Sequence, residues 1–600
     1  MSKVKVSVLM LALVSLAALW AAPAGVLAQG GATIQGNIKG ADGSPMEGVL
    51  VSARASDKSY TTTVFTDRQG NYVFPPLDAG QYKIWAQAVG FEAGRSELAL
   101  GAGRVDRSFT LTPIKEISRI VKQLSGTELL SSLPQETPAD RRMVHAVKNN
   151  CTGCHTASFT LQNRWDARGW GAIVDLMTKF PSSGQPPAAD APGSPMMRAY
   201  RDELVEYLSR VRGATELAQV KPLPRPRGEA TQVVITEFDL PRTDMPLMPF
   251  DGSDWSMGTP SRYVGRAAHD VWVDKQGMVW MADDMVPERT LAKLDPATGK
   301  VTNYVQKDQK GLSISTHSVV VDDKSGSGRV WATDGNDDAF IAFDPTAEVF
   351  KVFQRPPDLR QGVGGTLDVD SKGNPWAVSQ SGALKLDVAQ EKYTFYPAPK
   401  EGGTYGITID REDNAWYTQP GNETVVKVDS RAGTSTAVVL EPLVMPEILP
   451  ADRERAQKFR ANQNIAPPQQ KAPRRTAADP NGDYVWTAEY TGDRLLRIDI
   501  KTNQTKEYPL PHAYSQPYAT AVDKNGVVWI NTINLDRIVR FDPKTERFTE
   551  FQLPTRGTEV RHIQVDNRTN PPTIWVPYNR VNKVVRLQFR TQPPATSSRQ

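Results

Sequence analysis

The sequence of 600 residues is poor in cysteine, with Cys151 and Cys154 as its two thiols. A framework of several disulfides is therefore excluded. A zinc site built from two cysteine pairs is excluded as well, because no second pair exists. Any function of the cysteine pair must therefore involve these two thiols and their neighbouring residues.

A surplus of one charge is also lacking. The chain has 71 basic and 67 acidic residues, for a formal net charge of +4, and the two signs are interspersed. Nucleic-acid binding proteins usually carry a concentrated basic patch. We therefore expect no nucleic-acid partner.

Long hydrophobic runs are absent except for Val6 to Ala22, which follows Lys3 and Lys5. Small residues up to Ala28 complete the pattern of a secretory signal peptide over residues 1–28. The alternative is an uncleaved amino-terminal anchor. We predict a periplasmic or secreted protein that has no stable membrane span once the signal is removed.

Residues 31–112 alternate apolar and polar positions between glycine- and proline-rich turns, which predicts a small all-β domain. The spacings T-D-x-x-G-x-Y-x-F and L-x-x-G-x-Y resemble the carboxypeptidase regulatory-like domain. That resemblance implies an immunoglobulin-like β-sandwich whose core includes Tyr72, Phe74, Tyr82 and Trp85. It implies a spacer or docking role and no catalytic residue.

Residues 114–213 change to a helical period. Trp170, Ile173, Val174 and Met177 would share one helix face. Ser194-Pro195 is typical of a helix start. Residues 214–230 are a proline-rich linker to the last region.

The two cysteines and His155 form C-x-x-C-H, the attachment motif of haem c. Cys151 and Cys154 would add to the two vinyl groups of one porphyrin, and His155 would be an axial iron ligand. A thioredoxin-like redox pair would need a βαβ setting that the sequence lacks. Export fits haem attachment, which occurs outside the cytoplasm.

The sixth iron ligand follows from a resemblance. The segment resembles small cytochrome c domains, in which an arginine, a tryptophan and a methionine follow the cysteine motif; here these are Arg164, Trp170 and Met177. The resemblance implies Met177 as the ligand, with Met196 or Met197 as alternatives. A methionine thioether raises the haem potential.

Residues 231–590 are repetitive. An aspartate, a turn and a tryptophan recur seven times, with most of the tryptophans about 40 to 50 residues apart, the length of one four-stranded propeller blade. The pairs are Asp274 with Trp280, Asp322 with Trp331, Asp370 with Trp376, Asp410 with Trp416, Asp479 with Trp486, Asp523 with Trp529, and Asp566 with Trp575. We predict seven blades, an insertion at about 440–475, and aspartates that cap turns.

The amino-terminal strand of this region is expected to close the ring. Its sequence, Val233 to Pro241, matches the fourth-strand sequence "RFTEFQLP" of another repeat, and the last repeat lacks a fourth strand of its own. Closure would remove exposed sheet edges.

One rim of the central channel is the predicted reactive site. The start of each first strand and the third residue after each tryptophan should reach the same rim. These positions hold His269 with Asp283, His317 with Asp334, Tyr405 with Gln419, and Glu489, while His562 lies one place out of register. Solvated rim residues without a catalytic role are the simpler interpretation.

The blade pattern H-x-x-x-x-D-x-x-G-x-x-W-x-x-[DE] resembles streptogramin B lyase (virginiamycin B lyase). The resemblance implies a seven-bladed propeller that opens a cyclic peptide ester with a histidine base and Mg²⁺. His269 and His317 match the family's histidines, and Asp283 stands where the family has glutamate. A further family glutamate is replaced by Ala267 or Ser315.

The sequence thus predicts a mainly β multidomain protein: an immunoglobulin-like β-sandwich, a small α-helical cytochrome c domain and a seven-bladed β-propeller. The first functional hypothesis is an exported monohaem c-type cytochrome that works as an electron-transfer oxidoreductase, with a periplasmic redox partner and a small-molecule or peptide substrate. The alternatives are a metal-assisted C–O lyase with an accessory haem domain, and a non-enzymatic envelope recognition protein.

Overall fold

A computed structural model describes residues 32–153, 155–179, 194–214, 217, 219–241, 252–259, 268–283, 286, 288–335, 339–459 and 465–590. The predicted signal peptide and Cys154 lie outside these residues. Within them, no helix is both long enough and apolar enough to cross a bilayer.

The first domain is a sandwich of two sheets. One has the order β4-β1-β7, with β8 also pairing with β1, and the other contains β3-β2-β5-β6. Tyr72, Phe74, Tyr82 and Trp85 are all buried, which confirms the predicted core. The strands are β1 (Thr33–Gly40), β2 (Leu50–Ala55), β3 (Tyr60–Phe65), β4 (Asn71–Val73), β5 (Gly80–Gln87), β6 (Gly94–Leu100), β7 (Arg104–Asp106) and β8 (Phe109–Leu111).

We call residues 114–213 the helical segment, and the part of it that the structure describes contains seven helices. The predicted start at Ser194-Pro195 is confirmed, because the Ser194 hydroxyl accepts a hydrogen bond from the Met197 amide at 3.2 Å. The helices are α1 (Ile117–Gln123), α2 (Gly126–Ser132), α3 (Pro138–Cys151), α4 (Ala157–Leu161), α5 (Ala167–Lys179), α6 (Pro195–Ala199) and α7 (Arg201–Val211).

The described residues after the linker form seven blades of four strands, one per predicted repeat; six are separate sheets, and the seventh is part of a larger sheet. The strand β9 (Val233–Asp239) comes first in the chain and belongs to the last sheet. Blades 1 to 3 contain β10 (Ala268–Val273), β11 (Val279–Asp283), β12 (Leu291–Asp295), β13 (Lys300–Tyr304); β14 (Thr316–Val321), β15 (Val330–Asp334), β16 (Ala339–Asp344), β17 (Val349–Gln354); and β18 (Gly364–Val369), β19 (Pro375–Ser379), β20 (Gly382–Asp387), β21 (Lys392–Pro397).

The remaining blades repeat this order, and one more helix, α8 (Pro450–Phe459), follows blade 4. Blades 4 to 7 contain β22 (Ile407–Ile409), β23 (Ala415–Gln419), β24 (Thr424–Asp429), β25 (Thr434–Val439); β26 (Pro473–Ala478), β27 (Tyr484–Glu489), β28 (Arg494–Asp499), β29 (Thr505–Pro509); β30 (Pro517–Val522), β31 (Val528–Thr532), β32 (Arg537–Asp542), β33 (Arg547–Gln552); and β34 (Gln564–Asp566), β35 (Thr573–Tyr578), β36 (Lys583–Phe589) with β9.

Ring closure occurs as predicted. β9 pairs antiparallel with β36, from Val233 opposite Phe589 to Asp239 opposite Lys583. The first strand of blade 1, β10, in turn contacts β34 and β35 of blade 7. The seven sheets therefore form a closed β-propeller.

The other edge of β9 pairs with the sandwich, which the sequence did not predict. β3 runs antiparallel to β9, with Tyr60 opposite Phe238 and Thr63 opposite Ile235. One sheet of the sandwich thus continues blade 7 as an eight-stranded sheet. The sandwich is part of the propeller's framework, so its docking role is to cover the edge of the last blade.

The repeated aspartates cap turns, as predicted. In blade 4, the Asp410 carboxylate accepts the Glu412 and Asn414 amides at 2.9 Å each and the Trp416 indole N–H at 2.8 Å. The same bond to the indole recurs in blades 1, 3 and 6. In these four blades the aspartate therefore fixes a turn and orients a buried tryptophan.

The predicted insertion, about 440–475, includes α8 and ends earlier than expected. The innermost strand of blade 5, β26, starts at Pro473. Arg474 and Arg475 consequently lie on the channel side of the propeller, which matters for the site described below.

Replacing Asp410 by Ala tests the turn assignment. The variant leaves two amides and a buried indole N–H without their acceptor, so we expect the free energy of unfolding to fall by about 2–4 kcal/mol. Denaturant unfolding followed by tryptophan fluorescence measures this. Asp429→Ala is the matched control, since Asp429 accepts two turn amides but no indole. Equal losses in the two variants would contradict the role of the indole bond.

Candidate functional site

The helical segment packs on one rim of the propeller, through buried polar contacts. The Lys148 ammonium of α3 donates to the Asp493 carboxylate at 2.8 Å and to the Thr491 carbonyl at 2.7 Å. The Asn149 amide donates to the Pro467 carbonyl at 2.9 Å. Lys148 is fully buried, and a buried charge is costly without its partners. Because both partners belong to the propeller, this contact fixes the position of α3 on the rim.

The insertion holds the other end of α3. The Arg142 guanidinium makes two hydrogen bonds of 2.7 Å to Asp452 of α8 and one of 2.5 Å to Glu203 of α7. The Tyr200 hydroxyl also donates to Asp452, at 2.8 Å. Both Arg142 and Asp452 are buried, so α8 serves as a brace between the propeller and the helical segment.

The cysteine motif, residues 151–155, lies at this interface. Cys151 is the last residue of α3 and half-buried, and Cys154 falls outside the described residues. The Thr152 carbonyl, inside the motif, accepts a hydrogen bond of 3.1 Å from the Tyr490 hydroxyl of blade 5. The Ala157 amide donates to the Asn534 side chain of blade 6 at 2.9 Å. Two blades therefore hold the motif against the rim.

The described residues of the motif fit a covalently attached haem. The Nδ1 atom of His155 lies 3.1 Å from the Thr156 carbonyl. A carbonyl bonded to one ring nitrogen is the usual way of orienting a histidine that binds metal through the other. Burial raises the pKa of the Cys151 thiol to about 12, and a thioether sulfur, which carries no charge, suits such surroundings.

All three candidate sixth ligands lie around the same core. Cys151 and the half-buried Met177 pack against the buried cluster of the helical segment, and Met196 and Met197 belong to that cluster. Arg164 and Trp170, the other two residues of the cytochrome resemblance, donate to the Gly213 and Arg212 carbonyls just after α7, each at 3.0 Å. Their observed contacts hold the end of the last helix.

Aromatic and guanidinium side chains continue from the motif into the channel. Tyr490, which bonds to Thr152, packs its ring at 4.3 Å from the Arg474 guanidinium carbon, and the rings of Tyr405 and Tyr518 lie at 4.5 and 4.4 Å from it. The Tyr405 and Tyr518 hydroxyls are hydrogen bonded to each other. We call these four residues the Tyr–Arg stack, and all four are buried.

Two predicted histidines meet beside the stack. The rings of His269 and His317 are 4.0 Å apart. Asp270 accepts from the Arg475 guanidinium at 2.9 Å and from the Ser318 hydroxyl at 2.6 Å, and it lies 2.9 Å from Nδ1 of His269. Although burial alone would raise it, the pKa of Asp270 is held well below its usual range by Arg475 and by the nearby histidines.

Sequence reasoning missed Asp270 and Arg475. The Asp270 carboxylate follows directly after a predicted site histidine, and this adjacency was the available signal. Arg475 gave none, because its strand was assigned to the insertion.

The predicted acids do not all join the histidines. Asp283 lies opposite Ala268 and is ion paired with Arg289. Asp334 is buried opposite Thr316, and Gln419 donates to the Lys400 and Gly402 carbonyls. Across the residues that the structure describes, no group of three or more His, Cys, Asp or Glu side chains could hold a metal ion.

Glu489 occupies a site of its own. It is fully buried, and neither carboxylate oxygen has a hydrogen-bond partner among the described residues. Burial raises its pKa to about 8, and the nearby Glu507 and Glu423 raise it further while Lys471 opposes them. Burial likewise raises the pKa of Glu423 to about 7. Glu489 is therefore mostly protonated at neutral pH.

His145 of α3 is half-buried, and its ring lies 5.2 Å from that of Tyr514. This face of α3 lies on the propeller rim.

Glu489→Gln tests the protonation state. A carboxyl whose pKa is higher in the folded state than in the unfolded state loses stability as pH rises from about 4.5 to 8. The glutamine variant escapes this loss, so we expect its advantage in free energy of unfolding to grow by about 2–4 kcal/mol between pH 5 and 8.5. Glu546→Gln, at an exposed carboxylate, should show no such growth. Parallel curves for Glu489→Gln and the unchanged protein would contradict the assignment.

Comparison with known proteins bears on the sandwich and the propeller. The family model of the carboxypeptidase regulatory-like domain matches residues 33–112. No protein of curated function matches the chain. Among solved structures, a streptogramin B lyase is 18% identical with a TM-score of 0.45, over 60% of this chain and 100% of that one.

Two further structures are similar at the same level. A virginiamycin B lyase from Staphylococcus aureus is 17% identical with a TM-score of 0.43, over 54% of this chain and 95% of that one. Kuenenia stuttgartiensis hydrazine synthase is 12% identical with a TM-score of 0.41, over 54% and 96%. At these scores the propeller assignment rests on the seven sheets themselves, and the amino-terminal sandwich is a carboxypeptidase regulatory-like domain.

Proposed function

We propose that this chain is an exported monohaem c-type cytochrome joined to a propeller that binds a substrate or partner, and that it works as an electron-transfer oxidoreductase in the periplasm or outside the cell. The observation that carries the proposal is the hydrogen bond from Tyr490 to the Thr152 carbonyl, inside C-x-x-C-H. A haem attached there would lie against the propeller rim, next to residues that reach the channel.

The residues of the motif have separate tasks. Cys151 and Cys154 would hold the porphyrin through thioethers, and His155, oriented by the Thr156 carbonyl, would bind the iron. Met177 is our choice for the sixth ligand, with Met196 and Met197 as alternatives. When bound, haem c supplies exchange of one electron at a time.

The Tyr–Arg stack supports coupling between the motif and the channel. Its four side chains are in van der Waals or hydrogen-bonded contact from Thr152 to the neighbourhood of His269. Packed, buried side chains exclude water and keep the distance between the two ends constant. An electron passing between haem and channel would therefore cross protein that is rigid and dry.

A metal-assisted C–O lyase with an accessory haem domain is the second candidate. The close pair of His269 and His317 favours it, since the lyase resemblance requires two histidines on neighbouring blades. Mg²⁺ would need acidic ligands beside the two histidines. Asp283, however, is ion paired with Arg289, and Asp270 is ion paired with Arg475. A non-enzymatic recognition protein is the third candidate, and it requires neither a haem nor a metal site.

Cys154→Ser tests the haem. We expect the exported protein, produced with the cytochrome maturation proteins, to give the pyridine haemochrome band of a haem with two thioether bonds. The variant should lose that band because one vinyl group stays unreacted. Thr152→Ser, which keeps both thiols, is the matched control. An unchanged spectrum in Cys154→Ser would rule the assignment out.

Met177→Ala tests the sixth ligand. Loss of a thioether ligand should lower the haem reduction potential and shift the reduced spectrum. Met196→Ala and Met197→Ala should leave both close to those of the unchanged protein. A shift seen only in Met196→Ala or only in Met197→Ala would identify that methionine as the ligand instead. Potentiometric titration with optical detection measures the potential and the spectrum of all three variants.

A further inference from the structure

A cavity of about 520 Å³ lies on the propeller axis and is lined by the innermost strands of all seven blades. Its lining includes Asp410, Asp413 and Asp479, which lie in the turns after the first strands. The helical segment contacts the opposite rim, where second strands end, as Tyr490 and Asn534 show. The cavity therefore extends toward the face that the helical segment does not cover.

Its walls are mostly apolar. Trp272, half-buried, stands on one side, and small residues such as Ala477, Ala519 and Ala521 stand on blades 5 and 6. Threonine hydroxyls in the lining already donate hydrogen bonds within the protein: Thr366 donates to the Tyr405 carbonyl and Thr520 to the Trp486 carbonyl. A cavity of this size with apolar walls is typical of small-molecule sites.

The inner end offers hydrogen-bond donors. Arg475 and His562 line the cavity there. The Val271 amide donates to Nδ1 of His562 at 3.4 Å, and burial lowers the pKa of His562 to about 4. The neutral ring then carries its proton on Nε2, which is left to donate to a ligand. The Arg475 guanidinium, which is ion paired with Asp270, adds further N–H donors beside it, so this end suits a hydrogen-bond acceptor.

We propose that this cavity binds a small, largely apolar molecule that carries a carbonyl or carboxylate oxygen at one end, with the apolar body against Trp272 and the oxygen at His562 and Arg475. This rests on the proposed function and deepens it, since it names the class of molecule that the propeller would present on the far side of the Tyr–Arg stack from the haem. The molecule would enter from the face opposite the helical segment.

Three probes with one naphthalene body and different ends test the site: 2-naphthamide, 2-naphthoate and 2-naphthylmethylammonium. Isothermal titration calorimetry of the full exported chain should show the amide or the carboxylate binding at least about tenfold more tightly than the ammonium. The better of the two oxygen probes identifies the end group as neutral carbonyl or carboxylate.

Variants locate the binding. His562→Leu should weaken the oxygen probes by about 3–10-fold, the effect of one lost hydrogen bond, and His562→Gln, whose amide N–H replaces the Nε2 donor, should restore part of it. Ala519→Leu should reduce binding of both oxygen probes by filling the cavity. Ala432→Leu, on an exposed turn, is the control and should bind normally.

The inference is overturned if neither oxygen probe binds, if the ammonium binds as tightly, or if Ala519→Leu, shown to be folded by its circular dichroism spectrum, binds like the unchanged protein. Haem is measured in the same samples by pyridine haemochrome. Binding without a haem band contradicts the proposed function alone, and a haem band without binding contradicts this inference alone.

Discussion

The pairing of β9 on both of its edges is the constraint on which the rest of the structure depends. One edge closes the propeller against β36, and the other joins the sandwich through β3. Because the chain leaves the sandwich and returns to β9 after the helical segment, both ends of that segment are held near blade 7. It must therefore fold back over the propeller, and the polar contacts of Lys148 and Arg142 fix where it lies.

This arrangement gives the two faces of the propeller different roles. The face under the helical segment is closed, and the histidines that the sequence placed on an open rim lie there, with His269 fully buried and His317 half-buried. The opposite face leads into the axial cavity. Between the cavity and the cysteine motif lie Arg475, Asp270 and the Tyr–Arg stack. A reaction in the channel and a redox centre on the rim would thus be separated by a few layers of packed side chains.

Repeating patterns made much of this predictable. The seven Asp–Trp pairs fixed the number of blades, and the match of Val233 to Pro241 with a fourth strand predicted closure. Contacts between distant parts of the chain were not predictable, because they leave no periodic signal: the β3–β9 pairing is one, and the ion pair of Lys148 with Asp493 is another. Arg475 was missed since a proline-rich insertion precedes its strand and hid where blade 5 begins.

The central claim is that the cysteine motif carries one haem against the propeller rim. Diffraction from crystals of the exported protein, recorded on both sides of the iron absorption edge, tests it most directly. The account predicts a single iron per chain, bound by Nε2 of His155 on the side of the motif that faces Tyr490. Crystals without iron, or with iron bound far from His155, would contradict it.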